Sequence, residues 1–430
     1  MGRTDQIAVS GGPITETSET NPPSNPIELG EHDTTDAFPM SDEDVEFLQS
    51  LDADPKPVKL EFTHSGEVRL SASQHVGVLT TPSGLQIEIT PKETITNLLW
   101  ALQFAFDVDA QTVDAPTTLA PARTFIDALG ALYASALEEV LSQGLHRDYV
   151  RRQETSQRVR GRINLTQQLQ RSNPVPTDFE IEYDAHTADT VLNRGILTAT
   201  RRLVALVDDV DIADRLDFQR NRLRQHVSET IVTATELEQV DLTRLNQHYE
   251  TALSLARIVL TEDFFEDLSP GHRQSFGLFL NMNSIFEAIV ERAFREASHR
   301  IDERWHVEGQ ASIPNLIEGP HAVSMTPDVV ISDSDGMYRL VGDAKWKTGA
   351  TSSGDVYQLT SYILALEVPG LIVYPEQASW TDSRSVVNGN YSLRSVTLPT
   401  ATSAASYTNY RESIVDAAED ALRTSCGLEK

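Results

Sequence analysis

The chain has 430 residues, with 64 acidic against 35 basic, a formal net charge of -29 and a 40% hydrophobic content, enough for two or three cored domains. Such acidity opposes broad binding to phosphate backbones, and its spread along the whole chain fits the surface solvation by which halophilic proteins stay dissolved. One cysteine, Cys426, excludes a disulfide scaffold or a cysteine zinc site within the chain, and no apolar run approaches the ~20 residues that span a bilayer, so a cytoplasmic protein with no membrane partner is expected.

Residues 1–57 read as an acidic, disordered arm. GGPITETSETNPPSNP is rich in Pro, Ser and Thr, SDEDVEF follows, and order is predicted to begin near Lys59. Residues 58–145 then form a β-rich N-terminal module with helices. KLEFTHSGEVRLSA, HVGVLTT and GLQIEIT alternate apolar and polar residues around turn signals such as Pro82-Ser83-Gly84. ITNLLWALQFAFDV, from Ile95, and the stretch from Pro121 to Leu145 carry helical periodicity.

Residues 146–270 are predicted to be a mainly helical middle region, entered through HRDYVRRQETSQRVRGRINL. That segment gathers Arg147, Arg151, Arg152, Arg158, Arg160 and Arg162. Two readings stay open: arginines on solvated helix and loop surfaces, paired with the many carboxylates, or a patch that contacts a nucleic-acid backbone or an acidic partner. SPGHRQ, from Ser269, ends the helical pattern. Residues 271–430 follow as an α/β module: a helix from Phe276 to about Ser298, strands, a hairpin, a helix from Val356 to Leu366, and strands at Gly370–Val373 and near Tyr391. The fold class expected is multidomain α+β.

The hairpin is TPDVVISDSDGMYRLVGDAKWK, Thr326 to Lys347. Asp335-Gly336 is a favoured pair for a two-residue turn, and counting outward from it sets Asp328 opposite Asp343. Facing carboxylates repel unless something lies between them, and a divalent cation with oxygen ligands fits that place. Lys345, two residues on from Asp343, falls on the same strand face. Only six of the 35 basic residues are lysines, and two of them stand here. Glu287 adjoins the apolar stripe of FGLFLNMNSIFEAIVERAF, while Gln358 and Tyr362 share a helix face at i, i+4 in GDVYQLTSYILAL.

Glutamate on a helix, Pro-Asp on a strand, Asp-x-Lys on the next and Gln-x-x-x-Tyr on the following helix resemble the PD-(D/E)XK nuclease superfamily. Within it, NMNSIFE, TPDVVI, GDAKWK and DVYQLTSY, with the upstream HVGVLTTPSGLQIEITPK, are similar to McrC, the nuclease subunit of McrBC-type modification-dependent restriction systems. The resemblance implies a restriction-endonuclease-like domain at 271–430 and Mg²⁺ (or Mn²⁺) held by Asp328 and Asp343 with Glu287 beside them. It implies Lys345 as the catalytic lysine, and Gln358 and Tyr362 in support. Thr326 stands before Pro327 where a basic residue is expected, which bears on a phosphate contact and not on the metal site. The family implies double-stranded DNA as substrate, cut at methylated sites, and a GTP-hydrolysing AAA+ ring of the McrB kind, docked through the N-terminal module. The sequence has no G-x-x-x-x-G-K-[S/T] motif, so no nucleotide is expected to bind this chain. The rival readings are a non-catalytic adaptor of an AAA+ ring and a repair nuclease without a restriction partner.

Overall fold

The structure, a computed structural model, describes residues 25–51, 55–92, 94–106, 124–170, 178–261, 263–267, 275–313, 316–317, 319–347, 351–376, 383–401 and 404–428. Among them no helix is long and apolar enough to cross a membrane.

The predicted disordered arm is corrected from residue 25 onward; residues 1–24, and the Pro-Gly break after Ser269, lie outside the described residues. β1 (Ile27–Gly30) pairs in parallel with β5 (Gln86–Thr90), and α1 (Asp42–Ser50) starts on a Ser41 cap that accepts from the Asp44 N–H. Composition misled because position matters more than the number of apolar residues. Ile27, Leu29, Phe38, Phe47, Leu48 and Leu51 all turn inward, against the hairpin β2 (Val58–Phe62) and β3 (Val68–Ala72). Buried Asp44 then ties α1 to the next turn, accepting from Ser83 N at 3.0 Å and Ser83 Oγ at 2.6 Å. Leu48→Ala is expected to cost about 2–5 kcal/mol of stability, read as a lower denaturation midpoint. A change under about 0.5 kcal/mol, the level of an ordinary surface substitution, contradicts the packed segment.

β1 and β5 continue through β4 (His75–Thr80) into β10 (Ser275–Asn281) and β9 (Asp263–Asp267), in the order β1-β5-β4-β10-β9. The boundary at 271 and the predicted helix start at Phe276 are therefore corrected. Phe276 to Asn281 pair antiparallel with β4, so this strand belongs to the N-terminal sheet. Its apolar run is a strand covered on both faces, Leu278 and Leu280 entering one core and Phe279 the other. Gly77 allows the approach, since a Cβ there would lie 2.0 Å from the Leu278 carbonyl oxygen.

Two helices, α2 (Ile95–Ala105) and α3 (Phe125–Gln143), pack beneath this sheet. The arginine-rich segment is extended, not helical: β6 (Asp148–Ser156), β7 (Arg162–Ile163) and β8 (Phe179–Thr187) form a separate sheet in the order β6-β8-β7, with α4 (Leu165–Gln170) beside it. Helices α5 (Val191–Leu206), α6 (Val210–Arg224), α7 (Ala234–Glu238) and α8 (Glu250–Thr261) complete the middle region.

α9 (Met282–Ile301) leaves β10 directly, capped by Asn281, whose side chain accepts from the Asn283 N–H. It leads into a six-stranded mixed sheet of β11 (His306–Gly309), β12 (Val329–Ser332), β13 (Tyr338–Ala344), β14 (Gly370–Pro375), β16 (Tyr391–Leu398) and β15 (Ser383–Val387), in that spatial order. The crossover from β13 to its parallel neighbour β14 is α10 (Ser353–Leu366), and α11 (Tyr407–Cys426) closes the described chain. Strand alternation divides the core. Val329, Ile331, Leu340 and Ala344 face α9 and α11, whereas Val330, Val341 and Ile372 face Leu359 and Ile363 of α10.

Candidate active site at the base of the hairpin

The turn differs from its prediction. Ser334, Asp335 and Gly336 form the loop, closed by Gly336 N donating to Asp333 O at 3.0 Å and Asp333 N donating to Met337 O at 2.9 Å. Asp333 caps it by accepting from Asp335 N and Met337 N, and Gly336 takes φ 77°, a conformation open to glycine. A three-residue loop displaces the pairing by one, to Ser332↔Tyr338, and a bulge beside Arg339 restores it. Beyond the bulge the pairs are Ile331↔Leu340, Val330↔Val341 and Val329↔Gly342, so the next step outward is Asp328 against Asp343. The predicted juxtaposition survives because two local differences cancel.

Asp343 is 1% exposed and Asp328 9%. The two oxygens of Asp328 are both hydrogen-bonded: Ala344 N donates to Oδ2 at 2.7 Å and Gln310 Nε2 to Oδ1 at 2.9 Å. Oδ2 of Asp343 is closed to solvent and meets no well-aligned donor, the Lys345 Nζ 2.7 Å away contacting it as an ion pair. Glu287, in the second turn of α9, arrives from the side, where Gln310 Nε2 also reaches its Oε2 at 3.3 Å.

The electrostatics mark a place short of positive charge. Burial, then the charge of Asp328, pushes Glu287 up to about 7, against the pull of Lys345. Burial raises Asp343 to about 6, opposed by Lys345 and assisted by Asp328. For Lys345 burial works against the ammonium, but Asp343, Asp328 and Asp355 outweigh it and its pKa rises. Tyr362 is raised first by burial, with Asp343 and Asp328 adding to it and Gln358 opposing. Gln358 Nε2 donates to the Tyr362 hydroxyl at 3.0 Å, as their shared face requires. The fold therefore brings Glu287, Asp328, Asp343 and Lys345 together, with Tyr362 turned toward them and Gln358 bound to it.

The donors are hard carboxylate oxygens, and the charge of Asp328 adds to the burial that raises Glu287 and Asp343, which suits Mg²⁺ or Mn²⁺. Among the described residues no three His, Cys, Asp or Glu side chains converge closely enough to hold an ion by themselves.

Gln310 was not foreseen. It follows β11, takes φ 50° and spans Glu287 and Asp328, but a lone glutamine in a loop carries no sequence signal.

The arginines lie elsewhere, on the separate β6-β8-β7 sheet, and most are neutralised there. Arg151 and Arg162 pair with Glu182, Arg152 with Asp189, and Arg160 with Glu154 while lying 3.8 Å over the Tyr183 ring. Arg158 has no carboxylate partner among the described residues.

A family model described as McrBC 5-methylcytosine restriction system component matches residues 70–375. No curated protein matches. The chain is similar to one in a refined half-complex from the tetradecameric assembly of Thermococcus gammatolerans McrB AAA+ hexamers with bound McrC. The match has 17% identity, covers 91% of this chain and 100% of that one, and has a TM-score of 0.56, a likeness of fold. A chain of the Thermococcus gammatolerans McrBC complex solved by cryo-EM gives 18% identity over 64% of this chain and 88% of that one, with a TM-score of 0.41.

Proposed function

Because the chain belongs to the McrBC 5-methylcytosine restriction system component family, we propose that it is the nuclease subunit of such a system, cutting methylated double-stranded DNA together with a GTP-hydrolysing AAA+ ring of the McrB kind. The unit that runs from α9 through the six-stranded sheet to α11, residues 282–428, serves as its PD-(D/E)XK domain. The observation that carries this reading is the convergence of Glu287, Asp328, Asp343 and Lys345 on one buried position short of positive charge. An adaptor that only regulates a ring has no use for such a cluster, since like carboxylates in a dry site cost stability.

Asp328 and Asp343, with Glu287 beside them, would hold Mg²⁺ or Mn²⁺, which when bound would supply Lewis acidity toward the scissile phosphate. The protein's own groups do the rest. Lys345 stays protonated at neutral pH and offers N–H donors to the attacking water or to a non-bridging phosphate oxygen. Gln310 aligns Asp328 and Glu287, and Ala344 N fixes the second oxygen of Asp328. Paired as they are, Arg151, Arg152, Arg160 and Arg162 contribute less to DNA binding than their number suggests, because each neutralised charge displaces fewer counterions.

Binding of the ion is measurable without cleavage. Saturating Mn²⁺ is expected to raise the melting temperature of the wild-type chain by about 5 °C. The rise should vanish in Asp328→Ala; an equal shift in both proteins rejects the assignment.

A further inference from the structure

Glu31 and Trp346 stand 315 positions apart and share a hydrogen bond, Trp346 Nε1 donating to Glu31 Oε2 at 2.8 Å. The other carboxylate oxygen accepts from the Lys92 backbone N–H at 3.1 Å. Glu31 is 3% exposed. Apolar side chains would fill that space at less cost to folding, so packing alone does not account for a carboxylate there.

What the carboxylate holds is the indole. Trp346 follows Lys345, just past the end of β13 at Ala344. Its ring also packs on Phe286, the neighbour of Glu287, with centroids 5.5 Å apart and planes inclined at 54°. One side chain thus touches the N-terminal sheet, the helix that carries Glu287 and the chain that carries Lys345. Trp346 is the centre of a three-residue turn, closed by Lys347 N donating to Lys345 O at 3.0 Å, so anchoring its indole also holds the backbone from which Lys345 reaches. The Lys345 backbone itself is tied to the sheet by its N–H, which donates to Val373 O at 2.9 Å.

We propose that Glu31 is a positioning residue. Through the Trp346 indole the N-terminal module holds Lys345 against Asp343, so a segment outside the nuclease domain completes the nuclease site. The proposal rests on the nuclease reading, and its test separates the two.

In the full chain, Glu31→Ala removes the acceptor, while Trp346→Phe keeps a ring on Phe286 and removes the indole N–H. Hydrogen exchange in the metal-free proteins is expected to show the Lys345 amide opening about 10-fold faster in both, with β14 amides unchanged. Unaltered Lys345 exchange overturns the proposal whether or not the chain cuts DNA. In cleavage assays with the AAA+ partner, both variants should lower kcat by about 10–100-fold at constant KM for DNA. Added to Lys345→Ala, either should cause no further loss. Multiplicative losses mean that Glu31 acts independently of Lys345, and they also overturn it. Cleavage by Asp343→Asn at the wild-type rate defeats the nuclease reading instead, and the exchange result still decides the contact.

Discussion

Asp343→Asn is expected to lower DNA cleavage by about 10³-fold or more in a complex reconstituted with the AAA+ partner. The carboxylate is buried, unmatched by any well-aligned donor at Oδ2, and placed by register against Asp328. An amide of the same shape leaves the packing intact and removes one of the two charges that make the position attractive to a cation. Stability should hardly change, with the melting temperature within about 3 °C of wild type. Two effects offset: a buried carboxylate whose charge burial disfavours is gone, while Lys345 loses its partner. Assembly with the proposed AAA+ partner should persist, because the substitution lies in the C-terminal sheet. Cleavage at more than a tenth of the wild-type rate removes Asp343 from the catalytic set.

Lys345→Ala should reduce cleavage by about 10²–10³-fold while keeping the Mn²⁺-induced rise in melting temperature. Asp328, Asp343 and Glu287 all remain, and the ammonium that competes for the Asp343 oxygen is gone. Lys345→Arg should not rescue, since a planar guanidinium cannot take the place of a compact ammonium held 2.7 Å from the buried Asp343 carboxylate. The paired result distinguishes a lysine that acts on the reaction from one that only balances buried charge. In the second case cleavage survives and the loss appears in stability.

Legibility followed the range of the interactions. Asp328, Asp343 and Lys345 could be read because a hairpin relates its residues by counting, and Gln358 and Tyr362 because a helix does the same. Even there the count from a two-residue turn was wrong locally. It reached the right pair only because the bulge beside Arg339 compensated for the longer loop. The mistaken arm arose from averaging: Pro, Ser, Thr and acidic residues dominate its composition, yet the few apolar side chains from Ile27 to Leu51 suffice to dock it. Its one short alternating run, Ile27-Glu28-Leu29-Gly30, was the available signal.

By itself the sequence determined which carboxylates and which lysine stand at fixed offsets from one another, through the strand and helix periods that hold them. Tertiary structure alone decided the contacts between distant segments. Gln310 bridges Glu287 and Asp328, β10 joins the N-terminal sheet, Arg151, Arg160 and Arg162 pair with carboxylates of their own sheet, and Glu31 reaches Trp346. Local periodicity carries direction along one element. Which face of one element meets another depends on how all of them bury their apolar sides together, and no spacing along a single chain encodes that.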